Sequence, residues 1–229
     1  MKALCLLSGG MDSAVAAAIA RARGGELHAL SFDYGQRHRR ELRSARAVAR
    51  ALGARSHGVL RVDLRQIGGS ALTARLPLER RRSAREILRD PRIPSTYVPL
   101  RNTIFLVLAA ARAEVAAADR LVLGANAVDY SHYPDCRPEY YRAMARAIAL
   151  GSKRGAGGRP LGIWTPVIGM TKAQIVRRGL ALGVPFHLTW SCYAGGARPC
   201  GRCDSCLLRA KGFEEAGVED PLLASGRGR

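Results

Sequence analysis

The sequence predicts an α/β fold, a parallel sheet with helices on both faces, followed by a small C-terminal segment held by cysteines. Three observations predict it. Short apolar runs alternate with Ala-rich or amphipathic stretches, the order that βαβ units produce. A glycine-rich turn, Ser8-Gly9-Gly10-Met11-Asp12-Ser13, stands between the first apolar run and the first helical stretch. Near the C-terminus, Cys192, Cys200, Cys203 and Cys206 read C-x₇-C-x₂-C-x₂-C.

Taken in order, residues 2–7 form a short apolar strand that ends in the glycine turn, and Asp12 to Ala22 is Ala-rich and helical. Leu27 to Phe32 reads as the second strand. Gln36 to Leu52 reads as a basic amphipathic helix stopped by Gly53, and Val59 to Leu64 as a third strand. Residues 65–98 carry Gly68, Gly69, Pro77, Pro91, Pro94 and a charge-dense stretch, and are expected to be a long mobile excursion able to close over a site. Thr103 to Ala118 is an apolar helix, Arg120 to Gly124 a buried strand and Glu139 to Leu150 a helix. Lys153 to Arg159 is Gly-rich and expected to be flexible. Trp164-Thr165-Pro166 leads into a helix from Thr171 to Leu182. The end, from Ala224 to Arg229, is expected to be disordered, and no internal repeat is present. In such sheets, ligands sit beyond the C-terminal ends of the strands, where the glycine turn lies.

A chain of 229 residues suits one large domain with a small appendage. The expected division is 1–185 for nucleotide binding, 186–218 for the cysteine segment and 219–229 as a flexible tail. Apolar residues make up 48% and charged residues 24%, ordinary globular values that need no disulfides. No apolar run approaches the ~18 residues of a membrane span, and Ser8-Gly9-Gly10 interrupts the first run too early for a secretory signal. A cytoplasmic protein is expected, with its six cysteines reduced or ligating metal. The net charge of +19 raises the question of a polyanion partner. However, only Lys2, Lys153, Lys172 and Lys211 are lysines, and the arginines are spread along the chain. That usage fits a GC-rich genome, so codon bias is favoured over a nucleic-acid partner, and a polyanion partner for the basic surface stays open.

The turn has the chemistry of a phosphate site. Paired glycines let successive N–H groups turn inward, and the helix N-terminus adds unpaired donors and a positive dipole end. Ser8 and Ser13 add hydroxyls. The Asp12 carboxylate fits Mg²⁺ or a helix cap. No lysine follows the glycines, so this is not a Walker loop. A plain Gly-Gly turn capped by Asp12 is the structural alternative. At the C-terminal end, two-residue gaps let neighbouring thiolates meet on one tetrahedral ion. Four thiolates close the coordination sphere, so the ion expected is one structural Zn²⁺ per chain. An iron–sulfur cluster is the rival. Cys5 reads as a buried small hydrophobe.

The turn resembles the S-G-G-x-D-S motif of the N-type ATP pyrophosphatase (PP-loop) family. Its members split ATP between the α- and β-phosphates and adenylate a substrate oxygen. Further blocks sharpen the resemblance over nearly the whole chain: Phe32-Asp33-Tyr34-Gly35-Gln36-Arg37-His38, Tyr97-Val98-Pro99-Leu100-Arg101-Asn102, Asp129 through Glu139, and Thr189-Trp190-Ser191-Cys192-Tyr193 with Cys200 through Cys206. Together they are similar to the 7-cyano-7-deazaguanine synthase family of queuosine-precursor biosynthesis. Two positions depart from its pattern: His132 stands where glycine is expected, and Leu100 where a small residue is.

The resemblance implies an ATP-dependent carbon–nitrogen ligase that turns the 7-carboxylate of a deazaguanine into a nitrile with free ammonia, releasing AMP and pyrophosphate. ATP and Mg²⁺ are the expected cofactors beside Zn²⁺. Leu7, Ser8, Gly9, Gly10, Met11, Asp12 and Ser13 would hold the nucleotide. Asp12, Ser13, Arg101 and Lys172 would be catalytic, with Arg101 or Arg137 pairing with the 7-carboxylate or a phosphate and Lys172 reaching phosphate. Asp129, Tyr130, Asp135, Arg137 and Glu139 would bind the base, and Phe32, Tyr34 and Tyr97 are candidates to stack on it. Each of these also has a fold-stabilising reading. A homodimer is compatible with the sequence. Two other functions stay open here: a related ligase that uses another amine, and a zinc-containing tRNA-binding protein.

Overall fold

The computed structural model describes residues 1–37, 40–74, 76–78, 83–128 and 133–224. The expected residues Asp129, Tyr130 and His132, together with His38 and the end of the chain from 225, lie outside the described residues.

Five parallel strands form one sheet in the order β3-β2-β1-β4-β5: β1 Lys2–Leu6, β2 Glu26–Asp33, β3 Ser56–Arg61, β4 Arg120–Val122 and β5 Gly162–Trp164. Alternate residues of β1 serve opposite layers. Ala3 and Cys5 join one core cluster, and Leu4 joins the other. Burial pushes the Cys5 thiol up to about 12, so it acts as the small hydrophobe expected. Strand order reverses between β1 and β4, and the crevice at such a point is where open α/β sheets bind ligands.

On one face lie α1 (Met11–Ala22) and α2 (Arg40–Ala51). Alanines at 14, 16, 17, 18 and 20 are buried and let α1 lie close to the sheet. The helix α2 sets Ala45, Val48 and Ala49 inward and its arginines outward. A short helix, α3 (Ala84–Arg89), precedes the other face. Ser83 and Glu86 close its capping box. That other face carries α4 (Arg101–Val115) and α5 (Pro138–Gly151), with Leu106, Ala109, Ala113 and Tyr141 in its core. A one-turn α6 (Lys153–Ala156) follows, capped by Ser152 and tied down by the bond from the Arg154 N–H to Glu114. The flexible stretch expected at 153–159 is therefore largely structured. Next comes α7 (Lys172–Ala181), opened by a Thr171/Gln174 capping box. Finally, α8 (Asp204–Ala216) and α9 (Pro221–Ala224) complete the C-terminal segment.

Three other features differ from expectation. The third strand begins at Ser56, because its register pairs Ser56 with His28. β5 and α8 were not anticipated. Between 65 and 98, Ala71, Leu72, Ile87 and Val98 are buried, so the described part of this stretch is anchored to the body.

Candidate functional site

The site is built where β1 ends. Gly9 adopts φ +87, and a Cβ there would meet the Glu41 carbonyl at 2.3 Å. The position therefore requires glycine on two counts. The Ser8 N–H donates to the Ser13 hydroxyl (3.2 Å), the Gly10 N–H to the Ser8 hydroxyl (3.2 Å), and the Ser13 hydroxyl to the Gly10 carbonyl (3.0 Å). Gly10 caps α1 with no side chain of its own, leaving the first turn of that helix as an anion site. Leu7 is buried, and its N–H donates to the Leu30 carbonyl, fixing the strand from which the loop departs.

Lys172, the first residue of α7, reaches across to Asp12, with Nζ 2.5 Å from Oδ2. The other oxygen of Asp12, Oδ1, is buried and has no hydrogen-bond partner among the described residues. A buried carboxylate oxygen with free lone pairs beside a phosphate-type loop fits a hard divalent cation such as Mg²⁺.

Loop and lysine open into a cavity of about 300 Å³ at the crevice between β1 and β4. Its far wall is aromatic. Phe32 and Phe105 stack at 4.1 Å with planes 2° apart, and Tyr34, Tyr133 and Tyr193 complete the wall. Among these rings stands Arg101, its guanidinium carbon 5.8 Å from the centre of the Tyr34 ring. Burial raises the Tyr34 phenol above its ordinary value, so the phenol is neutral and does not cancel this charge. Among the described residues, no carboxylate lies within ion-pair distance of Arg101. The cavity thus has two poles, a phosphate loop with a paired lysine and a guanidinium that has no carboxylate partner among the described residues.

The expected catalytic residues Asp12, Ser13, Arg101 and Lys172 all line this cavity, as do Leu7, Ser8, Gly10 and Met11. Of the expected base-binding residues, the described ones, Asp135, Arg137 and Glu139, are not on its wall. Arg137 and Glu139 are exposed and face each other at 3.4 Å on the surface. Asp135 is 3% exposed and absent from the cavity wall. Its oxygens accept from the Asn102 N–H (3.0 Å) and the Asn102 amide (3.1 Å). Cys136 does reach the cavity, and burial pushes its thiol up to about 12. Tyr97 turns its hydroxyl to the Leu100 N–H instead.

Phe105, Gly124 and Arg209 are among the wall residues to which the sequence assigned no part in the site. Phe105 is hidden in the apolar pattern of α4. Gly124 follows β4 as Gly9 follows β1, a placement legible in retrospect. Arg209 gave no signal at all. It is 4% exposed, clasped by both oxygens of Asp220 (2.7 and 2.9 Å), and donates to Thr189 (2.7 Å).

The four cysteines converge. The sulfurs of Cys192, Cys200, Cys203 and Cys206 all lie within 4.8 Å of one another. A tetrahedral zinc with ~2.3 Å bonds needs thiolates about this close, so the donor set fits the ion. Cys192 is drawn toward the thiolate by hydrogen bonds from the Cys203 and Cys206 thiols, and then by the Cys200 and Ala194 N–H groups. Trp190, beside the cluster, donates its backbone N–H to the Gly9 carbonyl at 2.8 Å. The cysteine segment therefore forms the rear wall of the phosphate loop.

Comparison with known proteins identifies the family. A family model described as "Queuosine biosynthesis protein QueC" matches residues 2–217. A 7-cyano-7-deazaguanine synthase of Anaeromyxobacter dehalogenans is 53% identical over 222 residues, 96% of this chain and 94% of its own length. One from a Nostoc species is 53% identical over 225 residues, 97% and 96% of the two chains. One from the archaeon Thermoplasma acidophilum is also 53% identical, over 96% of this chain and 91% of its own. In fold, the chain is similar to a 4-thiouridine synthetase solved with RNA and bound ATP. The TM-score is 0.50 and the identity 20%, with 98% of this chain and 49% of that one covered.

Proposed function

The chain belongs to the QueC family of queuosine biosynthesis proteins, and from that membership we propose that it converts 7-carboxy-7-deazaguanine and ammonia to 7-cyano-7-deazaguanine with consumption of ATP. One observation carries the reading at the level of residues: a phosphate loop and a guanidinium with no carboxylate partner among the described residues face one cavity. A nucleotide held by its phosphates and a planar base bearing an anion can meet there.

The chemistry requires both. A carboxylate is a poor electrophile, and its oxygen leaves badly. ATP supplies an AMP group that makes that oxygen a leaving group, with pyrophosphate released. Ammonia then gives the amide, and loss of the amide oxygen needs a second activation. Two ATP are consumed per nitrile. The loop residues Ser8 to Ser13 hold the phosphates with N–H and hydroxyl donors. Lys172 adds positive charge, and Asp12 Oδ1 is the oxygen that would hold Mg²⁺, which supplies charge neutralisation at the phosphates. Phe32 and Phe105 offer a flat apolar surface for the base. Cys192, Cys200, Cys203 and Cys206 would hold a structural Zn²⁺. Free ammonia is the amine donor. Among the described residues, no helix is long and apolar enough to cross a membrane. Reduced thiolates suit a cytoplasmic setting, and a homodimer is compatible with the reading.

The test is the product mass. With the 7-carboxylate, ammonia, ATP and Mg²⁺, the nitrile, AMP and pyrophosphate are expected. ADP and orthophosphate as primary products would sink the reading, and a heavier amine adduct would replace it with a related ligase.

A further inference from the structure

The N-terminus of α4 is held in a way its own sequence does not provide. Leu100, the residue before the helix, sits in the left-handed region at φ 52, ψ 22, with its side chain 58% exposed. A leucine gains nothing there from burial and is sterically disfavoured, so its surroundings must impose the conformation. Three contacts do so. The Leu100 N–H donates to the Tyr97 hydroxyl (3.1 Å) and the Arg101 N–H to the Val98 carbonyl (3.1 Å). The Asn102 N–H donates to Asp135 Oδ2 (3.0 Å). Asp135 also takes the Asn102 amide on its second oxygen, and the same amide group reaches the Cys136 sulfur (3.2 Å). A buried carboxylate from a distant segment thus spends both oxygens on one residue of the first turn. Between the strained residue and the clamped one stands Arg101, with its guanidinium in the cavity.

We propose that Asp135 is a positioning residue that, through Asn102, aims Arg101 at the carboxylate of the substrate, so that this assembly serves the first half of the reaction and not the second. The proposal rests on the two-step reaction set out above. In the first step the substrate carries an anion, and a guanidinium with no carboxylate partner among the described residues is its natural partner, in a charge-assisted and potentially bidentate contact. In the second step the substrate is a neutral amide, and that contact loses its charge. Arg101 therefore distinguishes the two substrates of one cavity, while the loop, Lys172 and Asp12 treat both alike because both steps consume ATP. Asp135 touches neither substrate, since it is absent from the cavity wall.

The test measures pyrophosphate release separately with the 7-carboxylate and with the synthetic 7-amide. Wild type, Arg101→Met, Asp135→Ala and the double variant are compared after zinc content and unfolding midpoint are recorded. Arg101→Met is expected to lower kcat/KM for the carboxylate about 30- to 100-fold and for the amide less than about 5-fold. Asp135→Ala is expected to lower the carboxylate step about 10-fold and the amide step little. On the Arg101→Met background it should cost less than about 2-fold more, because its effect runs through Arg101. Equal losses on both substrates, or an undiminished Asp135→Ala effect in the double variant, would overturn the assignment. If Asp135→Ala fails to fold, Asn102→Ala removes the side-chain bonds to Asp135 and Cys136 together with the bond that Arg101 Nε–H donates to Asn102 Oδ1 (3.4 Å), and is held to the same outcomes. Wild type that turns over neither substrate would sink the reaction, and this assignment with it.

Discussion

Gly124 is a position where a single methyl group should damage catalysis through contact alone. It follows β4, and its φ is not in the left-handed region, so alanine is acceptable to the backbone. The obstacle is contact alone. A Cβ would lie 2.5 Å from both the N and the Cα of Ser13 and 2.8 Å from the Asp12 carbonyl carbon. These are backbone atoms in the first turn of α1, and no rotamer can relieve them. Ordinary contact begins at 3.4 Å, so the helix start or the strand end must move by about 0.9 Å. Buried alanines pin α1 along its length, and Leu121 and Val122 pin β4. The displacement therefore falls on Asp12 and Ser13, at the phosphate loop. Overpacking of this kind costs about 1–3 kcal/mol. For a chain of this size, that is roughly 2–12 °C of unfolding midpoint. Misplacing catalytic groups by ~1 Å costs about 100-fold in rate. Gly124→Ala is thus expected to fold, to melt several degrees lower and to lose about 100-fold in kcat/KM for ATP by pyrophosphate release. Gly58→Ala is the control, because its Cβ would meet only Leu30 Cδ1 at 3.6 Å. A Gly124→Ala protein with ATP kinetics within about 3-fold of wild type would refute the argument that this contact sets the loop.

Three further perturbations test other parts of the site. Asp12→Asn removes the charge opposite Lys172 and weakens the unpartnered oxygen, so turnover should fall about 100-fold or more at saturating Mg²⁺ while zinc content is unchanged; near-normal turnover would remove Asp12 from the mechanism. Metal analysis of the wild type should give one zinc per chain, and Cys203→Ala should abolish it and lower the unfolding midpoint, because metal binding and folding are coupled there; iron with inorganic sulfide in the wild type would replace zinc altogether. Burial, and then the Arg46 charge, lower the His57 pKa in the folded chain from its ordinary 6.5. The unfolded chain therefore binds this proton more readily. His57 should contribute no loss above about pH 6.5 and a growing one as pH falls through the folded value. Midpoints measured from pH 7.5 to 5 should decline less steeply in His57→Gln, and an equal slope would show that the group is not linked to folding.

Local chemistry was legible in the sequence, and long-range placement was not. The strand–glycine turn–helix at Lys2–Ala22 and the four cysteines announce themselves because spacing along the chain alone determines what they can do. β5 was missed because three residues, Gly162 to Trp164, are too few for any periodicity and become a strand only by pairing with β4. α8 was missed because its start, Asp204, lies within the cysteine cluster, where glycine-rich turns dominate the local pattern. Arg101 and Arg137 are indistinguishable as letters. Only folding sends one into an aromatic cavity and the other to the surface beside Glu139. Asp135 looked like a base-binding acid because it is an acid in a distinctive block. Its partner, Asn102, is 33 positions away.

The C-terminal segment makes structural sense once its contacts are followed back to the loop. Gly9 needs a left-handed backbone, which leaves its carbonyl pointing away from the sheet ladder. The Trp190 N–H donates to it at 2.8 Å. Trp190 is itself immobilised: it is 1% exposed, its indole N–H donates to the Cys192 carbonyl (3.0 Å), and Arg40 from α2 lies over its ring at 4.2 Å. One residue further back, Thr189 is held by Arg209, whose charge is balanced by Asp220 within the same segment. A buried guanidinium with one of these partners removed is strongly destabilising, so this arrangement tolerates little play. Phe186 and Phe213 extend it into the core around α1, meeting edge to face at 5.2 Å. The sulfurs close the remaining side of the tryptophan. The four-cysteine cluster beside the phosphate loop then has a physical place in the fold: it borders the wall against which Gly9 keeps its conformation.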